Sequence, residues 1–298
     1  KSKEEIENAW LTEIKKFSPD IIGTTIVEDS YEFCDRLLGL AKKKFNIPII
    51  AGGSMPTVVP QVIIENPNID YVVEGEGEVA FTELLTALKN NTDVSKVPNL
   101  WYKNNDKVLK TGIVKYLDMD KIPNQRLHFW DDKHFNKPYD GKMYTTGFFE
   151  ASRGCMHKCH YCINRAFQLF QQEAGKVRRN KSVDRIIEEV KALHKERNFE
   201  LIMFTDDNFL ARQPKELDDF FNKWSILVFN ELNSKTAKQL LERYFLEGLK
   251  SDEAEINRKL KSLVLENNMQ LKLKYLFDKI KYGVFRRLGR YENYRAIK

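Results

Sequence analysis

Arg153-Gly154-Cys155-Met156-His157-Lys158-Cys159-His160-Tyr161-Cys162 holds three of the chain's four cysteines within eight positions, spaced C-x3-C-x2-C. Thiolates crowded onto so short a loop repel and oxidise unless a soft metal holds them, so the segment reads as a metal site. Structural zinc wants four protein ligands, usually two C-x2-C knuckles or a Cys pair with a His pair. No second pair exists here, because Cys34 lies far off in an amphipathic stretch. His157 or His160 could complete a Cys3His zinc set, at the cost of strain in a compact loop. Three cysteines suit a [4Fe–4S] cluster better, since they hold three irons and leave the fourth open to a ligand.

Outward from the loop, the chain is that of an ordinary soluble protein. Its 298 residues suffice for two cores, with 42% hydrophobic and 31% charged residues. No run approaches the ~20 apolar residues that span a bilayer. Clustered cysteines with no disulfide framework point to a reducing, cytoplasmic setting. The first residue is Lys and no leader pattern follows, so a fragment is expected. The net charge of +6 is uneven. Residues 226–298 carry 16 Lys/Arg against 9 Asp/Glu, whereas the preceding 225 carry 33 against 34.

Before the loop, strands alternate with helices. A helix over 1–18 leads to the apolar run Ile21-Ile22-Gly23-Thr24-Thr25-Ile26. Asp29 and Glu32 have the spacing of a capping box, opening a helix whose Cys34, Leu37, Leu38, Ala41 and Phe45 share a face. Cys34 is then a small core residue. Strands at 47–51 and 69–73 follow, with a short helix at 58–65 between them and another carrying Val79, Phe81, Leu84, Leu85 and Leu88 after them. This alternation implies βαβ units and a parallel sheet. The strands end in Thr24-Thr25, Gly52-Gly53-Ser54 and Glu74-Gly75-Glu76-Gly77-Glu78, at the carboxyl edge where open α/β sheets bind ligands. Tight turns alone would explain the glycines equally well.

Residues 100–102 and 108–109 flank Asn104-Asn105-Asp106 as a small hairpin, and 144–150 form the strand that delivers the cysteines. Beyond them, Ser182 caps a helix striped by Val183, Ile186, Ile187, Val190 and Leu193. The strand Leu201-Ile202-Met203-Phe204 ends in Thr205-Asp206-Asp207-Asn208, a carboxylate pair that reads either as a ligand contact or as a helix cap. A helix with Leu217, Phe220, Phe221 and Trp224 precedes a weak strand at 226–229 and helices at 237–249, 251–266 and 271–288.

The C-x3-C-x2-C spacing, Tyr161 before the last cysteine and the lead-in Ala151-Ser152-Arg153-Gly154 resemble the signature of the radical S-adenosylmethionine (SAM) superfamily. The resemblance implies that Cys155, Cys159 and Cys162 hold a [4Fe–4S] cluster whose fourth iron is chelated by SAM, with Tyr161 near the adenine. It also implies that Asp206, Asp207 and Asn208 meet the SAM amino group. The three N-terminal strand ends resemble the second half of a cobalamin (B12)-binding domain, which implies that Thr24, Thr25, Gly52, Gly53, Ser54, Glu74, Gly75 and Glu76 surround the cofactor's nucleotide tail. The Asp-x-His-x-x-Gly motif that can ligate cobalt does not occur in the chain.

The expected architecture is therefore α/β. A partial Rossmann-like cobalamin-binding domain over 1–90 and a linker with a hairpin over 91–143 come first. The first half of a radical SAM (β/α) barrel over 144–225 and a basic helical region over 226–298 follow. Segments absent after Trp224 explain the short barrel better than truncation does, because half a barrel exposes an apolar edge. The resemblance implies reductive SAM cleavage and cobalamin-dependent methylation of an unactivated carbon, or a cyclisation or rearrangement. The implied partners are an electron donor such as flavodoxin or ferredoxin and a small-molecule or lipid-like substrate that no residue identifies. Two rivals remain: a cobalamin-independent radical SAM enzyme with a scaffold α/β domain, and a zinc-stabilised protein binding RNA or membrane through its basic tail. In that tail Lys272, Lys274, Lys279, Lys281, Arg286, Arg287, Arg290 and Arg295 interleave with aromatics. A solvated basic helix face explains the mixture more simply than nucleic acid or membrane contact.

Overall fold

The computed structural model describes residues 2–105 and 107–230. The tail helices at 237–249, 251–266 and 271–288 lie outside them. The chain divides into two compact units: Lys1–Asp118 with Arg153–Arg179, and Met119–Ser152 with the described residues from Asn180 onward.

In the first unit, helix α1 (Lys3–Phe17) opens on a capping box in which Ser2 and Glu5 exchange hydrogen bonds. Strand β1 (Ile22–Thr25) follows. The box expected at Asp29 is not formed. A 3-10 turn occupies Glu28–Ser30, and helix α2 (Tyr31–Phe45) starts after Ser30 without a side-chain cap. On α2, Leu38 and Ala41 are buried and Cys34 is half-buried.

Strand β2 (Ile49–Gly52) pairs parallel to β1, with Gly23 opposite Ile50. The helix expected at 58–65 is two short pieces, α3 (Ser54–Val58) and α4 (Pro60–Glu65), because Pro60 removes an amide donor and starts a new first turn. Strand β3 (Tyr71–Val73) pairs parallel to β2. Asp70 at its foot is fixed by Lys42 of α2, with Nζ 2.6 Å from Oδ2. Helix α5 (Gly77–Lys89) buries Ala80, Leu84 and Ala87.

The hairpin is formed by β4 (Leu100–Asn104) and β5 (Lys107–Lys110). It belongs to this unit rather than to a linker, because β4 pairs antiparallel with β3 and completes a sheet of order β1-β2-β3-β4-β5. Two apolar clusters flank the sheet, one around Ile26, Ile49, Ile63 and Val72, the other around Ile50, Leu84 and Leu100.

The second unit begins with α6 (Asp132–Phe135) and a hairpin that the sequence had not disclosed, β6 (Asn136–Tyr139) and β7 (Lys142–Phe149). Asp140 and Gly141, both at positive φ, make its two-residue turn. The chain then returns to the first unit from β8 (Ser152–Arg153) through the cysteine loop and α7 (Ile163–Phe170) to β9 (Arg179–Asn180), after which the second unit resumes. Helix α8 (Val183–Arg197) is capped by Ser182, whose hydroxyl accepts from the Arg185 N–H, and it buries the expected Val183, Ile186, Val190 and Leu193. Strand β10 (Leu201–Phe204) lies parallel to β7, giving the order β10-β7-β6. Helix α9 (Pro214–Asn230) runs straight through 226–229, so the expected weak strand there is helix. On this helix Phe220 and Leu227 are buried in one apolar cluster with α8 and β7 residues. A third, two-stranded sheet pairs β8 with β9, and among the described residues none of the three closes into a barrel.

Candidate functional site

Two features of the first unit carry chemistry. At the carboxyl ends of β1, β2 and β3 opens a cavity of about 550 Å3, lined by Thr24, Thr25, Gly52, Gly53, Gly75, Glu78 and Phe81 among others. That is a volume typical of small-molecule pockets, at the edge where parallel sheets place them. Glycine is required at Gly53: with φ 104° and ψ −165° the backbone sits in a region other residues avoid. A Cβ there would stand 2.7 Å from Thr25 Cγ2. At Gly52 a Cβ would meet nothing within 4 Å, so the cavity floor is bare backbone open to a close-packed ligand. Phe81, one of the apolar residues of α5, is 37% exposed and borders the cavity. The α5 core is filled by Ala80, Leu84 and Ala87, which follow the i, i+4, i+7 stripe.

Of the residues assigned to cobalamin, Thr24, Thr25, Gly52, Gly53 and Gly75 line this cavity, whereas Ser54, Glu74 and Glu76 do not. Ser54 begins α3. Glu74 is buried and fully engaged. It accepts from Trp101 Nε1 at 2.6 Å and Gln171 Nε2 at 3.1 Å, and pairs with Lys110 Nζ at 2.9 Å. Glu76 binds Arg179 at close range and Arg153 at 3.3 Å. Glu78 lies 2.6 Å from the Arg153 guanidinium. Burial raises the Glu78 pKa, but the Arg153 hydrogen bond and charge, with Arg179 behind, outweigh it and hold the carboxyl below its ordinary value. Burial, then the Glu76 charge, pushes the Tyr116 phenol up, and the Arg179 guanidinium stacks 4.1 Å from that ring.

The cysteine loop is the second feature. Gly154 must be glycine, since at φ 76° a Cβ would stand 2.5 Å from the Val177 carbonyl oxygen. Arg178 donates to the Gly154 carbonyl at 3.1 Å. Gln168, one turn into α7, reaches back to the carbonyls of Cys155 (2.7 Å) and His157 (2.9 Å). The His157 N–H points at Cys155 Sγ (3.5 Å) and Asn164 Nδ2 at Cys162 Sγ (3.8 Å), donors of the kind that stabilise thiolate. All three thiols are half-buried, while Tyr161 is 93% exposed. Among the described residues no three His, Cys, Asp or Glu side chains stand close enough to hold a metal ion as they are. The donor set fits a three-thiolate cluster, and the three thiols must draw together to ligate one.

In the second unit, Asp206 accepts from the Ala151 N–H at 3.1 Å and, at very short range, from the Ser152 hydroxyl. Arg212, buried, donates to the Ala151 carbonyl at 2.6 Å and to the Lys181 carbonyl at 2.9 Å. The peptide entering the cysteine segment is thus held on both its N–H and its C=O. Asp207 is exposed and Asn208 half-buried. The anchors Gln168, Gln171, Arg179 and Arg212 were not singled out by sequence. Arg178-Arg179, a basic pair between the cysteines and the Ser182 cap, was the one visible signal.

Residues 5–85 match the B12 binding domain family and residues 149–244 the radical SAM superfamily. The chain belongs to the radical SAM superfamily, in the branch whose members carry a B12-binding domain ahead of the radical SAM domain. An uncharacterized methyltransferase of Pyrococcus horikoshii is 32% identical over 210 residues, covering 69% of this chain and 43% of that protein. An anaerobic magnesium-protoporphyrin IX monomethyl ester cyclase of Synechocystis is 27% identical over 179 residues, covering 59% and 33%. The chain therefore spans less than half the length of these relatives. Among solved structures, the radical S-adenosylmethionine methyltransferase TsrM of Kitasatospora setae superposes with a TM-score of 0.58 at 14% identity, over 78% of this chain and 44% of that one. At that identity the likeness is one of fold.

Proposed function

We propose that this chain is the cofactor-binding part of a cobalamin-dependent radical SAM enzyme that methylates an unactivated carbon. The observation that carries the reading is the open, glycine-floored cavity at the ends of β1–β3 in the same unit as the three-cysteine loop. When bound, the [4Fe–4S] cluster would supply the electron for reductive SAM cleavage and cobalamin would carry the methyl group.

The chain's own residues have distinct tasks in this reading. Cys155, Cys159 and Cys162 supply thiolates, and Gln168 and Arg178 fix the loop backbone that bears them. Gly52, Gly53 and Gly75 offer backbone to the cobalamin tail, and Phe81 offers an apolar wall. Asp207 and Asn208 are the better candidates for the SAM amino group, because Asp206 is occupied with Ala151 and Ser152. Exposed Tyr161 is free to cover the adenine. A relative named as a cyclase keeps ring formation as a second outcome of the same machinery. The reading includes a cytoplasmic setting, a dedicated electron donor such as flavodoxin or ferredoxin, and a small or lipid-like substrate. Among the described residues no helix is long and apolar enough to cross a membrane.

The test is iron, sulfide, cobalt and zinc per chain after anaerobic preparation with hydroxocobalamin. About four irons and one cobalt are expected, as a three-cysteine cluster and one corrinoid require. Iron without cobalt would leave a radical enzyme with a scaffold domain. Zinc without iron would end the enzyme reading.

A further inference from the structure

The strand-end loop Glu74-Gly75-Glu76-Gly77-Glu78 alternates carboxylates with glycines, and the two kinds of residue face different neighbours. Gly75, Gly77 and Glu78 border the cavity. The carboxylates reach the cysteine segment at its two ends. Glu76 and Glu78 bind Arg153, two residues before Cys155. Glu74 accepts from Gln171, the residue that ends α7 after Cys162, and Gln171 is 2% exposed. Arg179, bound to Glu76, ties the return of the chain to the same loop and donates to the Leu117 carbonyl at 2.9 Å. On the cavity side, the Gly75 N–H donates to Thr57 Oγ1 at 3.0 Å, and Thr57 lies on α3, which packs beside α7. The cavity wall and the frame of the cysteine loop are therefore one five-residue piece of backbone.

We propose that Glu74, Glu76 and Glu78 are positioning residues through which occupancy of the cavity sets the geometry of the cysteine loop. The proposal rests on the reading of the cavity as a corrinoid site. A ligand seated against Gly75 and Gly77 limits the motion of this loop, and Arg153 and Gln171 follow because charge-assisted and buried hydrogen bonds hold them to it. Glu74 and Glu76 lie outside the cavity lining, and Glu78, which borders it, is engaged by Arg153. The three carboxylates hold the thiols' frame, so loading of one cofactor tightens the seat of the other.

The experiment uses the full chain loaded with its cluster, in the dark and without oxygen. Methylcobalamin is the probe, since its upper cobalt face is already alkylated and does not capture thiols. Iron release to a ferrous chelator and the EPR line shape of the reduced cluster are recorded with and without it, and binding is measured separately by equilibrium dialysis. For the unaltered chain, bound methylcobalamin is expected to slow iron release about fivefold or more, the lower end of ordinary coupling between sites. In Glu74→Gln/Glu76→Gln, at two residues outside the cavity lining, methylcobalamin should still bind, with most of the slowing and the EPR change lost. Arg153→Lys, which keeps the charge but not the fork, should show a partial effect and serves if the double variant fails to assemble a cluster. Lys42→Met, which weakens the unit at Asp70 far from this loop, should lower the melting temperature and keep the slowing. Undiminished slowing in Glu74→Gln/Glu76→Gln would mean simple shielding by the ligand and would overturn the proposal. Bound methylcobalamin with no slowing in the unaltered chain would do the same. No binding to the unaltered chain would instead remove the corrinoid reading beneath it.

Discussion

The exit of β3 and the exit of β10 look alike in sequence and are used alike, though they belong to different units. Each is an acidic turn at the carboxyl end of a parallel strand, the place where ligands are expected. In each, the structure turns carboxylates toward the protein's own chain at the entrance to the cysteine segment. Asp206 holds Ala151 and Ser152, and Glu76 with Glu78 holds Arg153. The difference lies in what is left over. After β3 the residues that face the cavity are mainly glycines. After β10 an exposed carboxylate, Asp207, remains beside the occupied one. An acidic strand end therefore reports a demand for charge, and only the partners decide whether a ligand or an arginine meets it.

The comparison breaks most visibly at Glu74. Glu74→Ala takes the charged acceptor from the Trp101 N–H and the Gln171 amide, while Lys110, 40% exposed, can turn to water; it should cost about 3 kcal/mol. Denaturant unfolding followed by Trp101 fluorescence reads it. A loss below about 1 kcal/mol, the range of exposed pairs, would show that the hub is not buried in solution.

Next in size are the paired aspartates. Asp206→Ala removes two hydrogen bonds to a charged acceptor and should cost about 2 kcal/mol. Asp207→Ala, at an exposed site, should stay within about 0.5 kcal/mol. SAM affinity, measured by calorimetry on the cluster-loaded chain, should nevertheless fall for Asp207→Ala. Equal destabilisation by both changes would dissolve the distinction between them.

The smallest effect belongs to Glu78. Its folded pKa lies below the ordinary value of 4.5, so its contribution to stability is fully present above that value and is lost as pH falls below it, toward the depressed pKa. The difference in unfolding midpoint between the unaltered chain and Glu78→Gln should therefore be flat from neutral pH down to the ordinary value and shrink only in stronger acid. A difference that disappears before that value is reached would contradict the Arg153 contact.

Much of this was legible before the coordinates. Short apolar runs located β1–β3 and β10, a helical stripe located α8, and the cysteine spacing singled out a segment within the radical SAM family match. Tertiary pairing was not legible. The β4–β5 hairpin read as a linker, because nothing local to Leu100–Asn104 announces that its partner is β3. Apolar content misread 226–229 as strand, since a short buried run has no period of its own. Phe81 was grouped with the other apolar residues of its helix, although Ala80, Leu84 and Ala87 are the ones buried. The carboxylates at both strand exits read as ligand contacts because sequence shows their charge and hides Arg153, Gln171 and Ala151, which stand up to 97 residues away along the chain.

The most direct test sets the glycines of the cavity against its carboxylates in methylcobalamin binding. Gly53→Ala places a Cβ 2.7 Å from Thr25 Cγ2 in a backbone region alanine avoids, and should weaken binding about tenfold or more, equivalent to ~1.4 kcal/mol. Glu76→Gln, whose carboxylate faces Arg153 and Arg179, should leave the dissociation constant within about twofold, the scatter of a change outside the contact surface. That order supports a cavity built of backbone and a loop whose charges serve the cysteines. The reverse order, with Glu76→Gln abolishing binding and Gly53→Ala without effect, would contradict it.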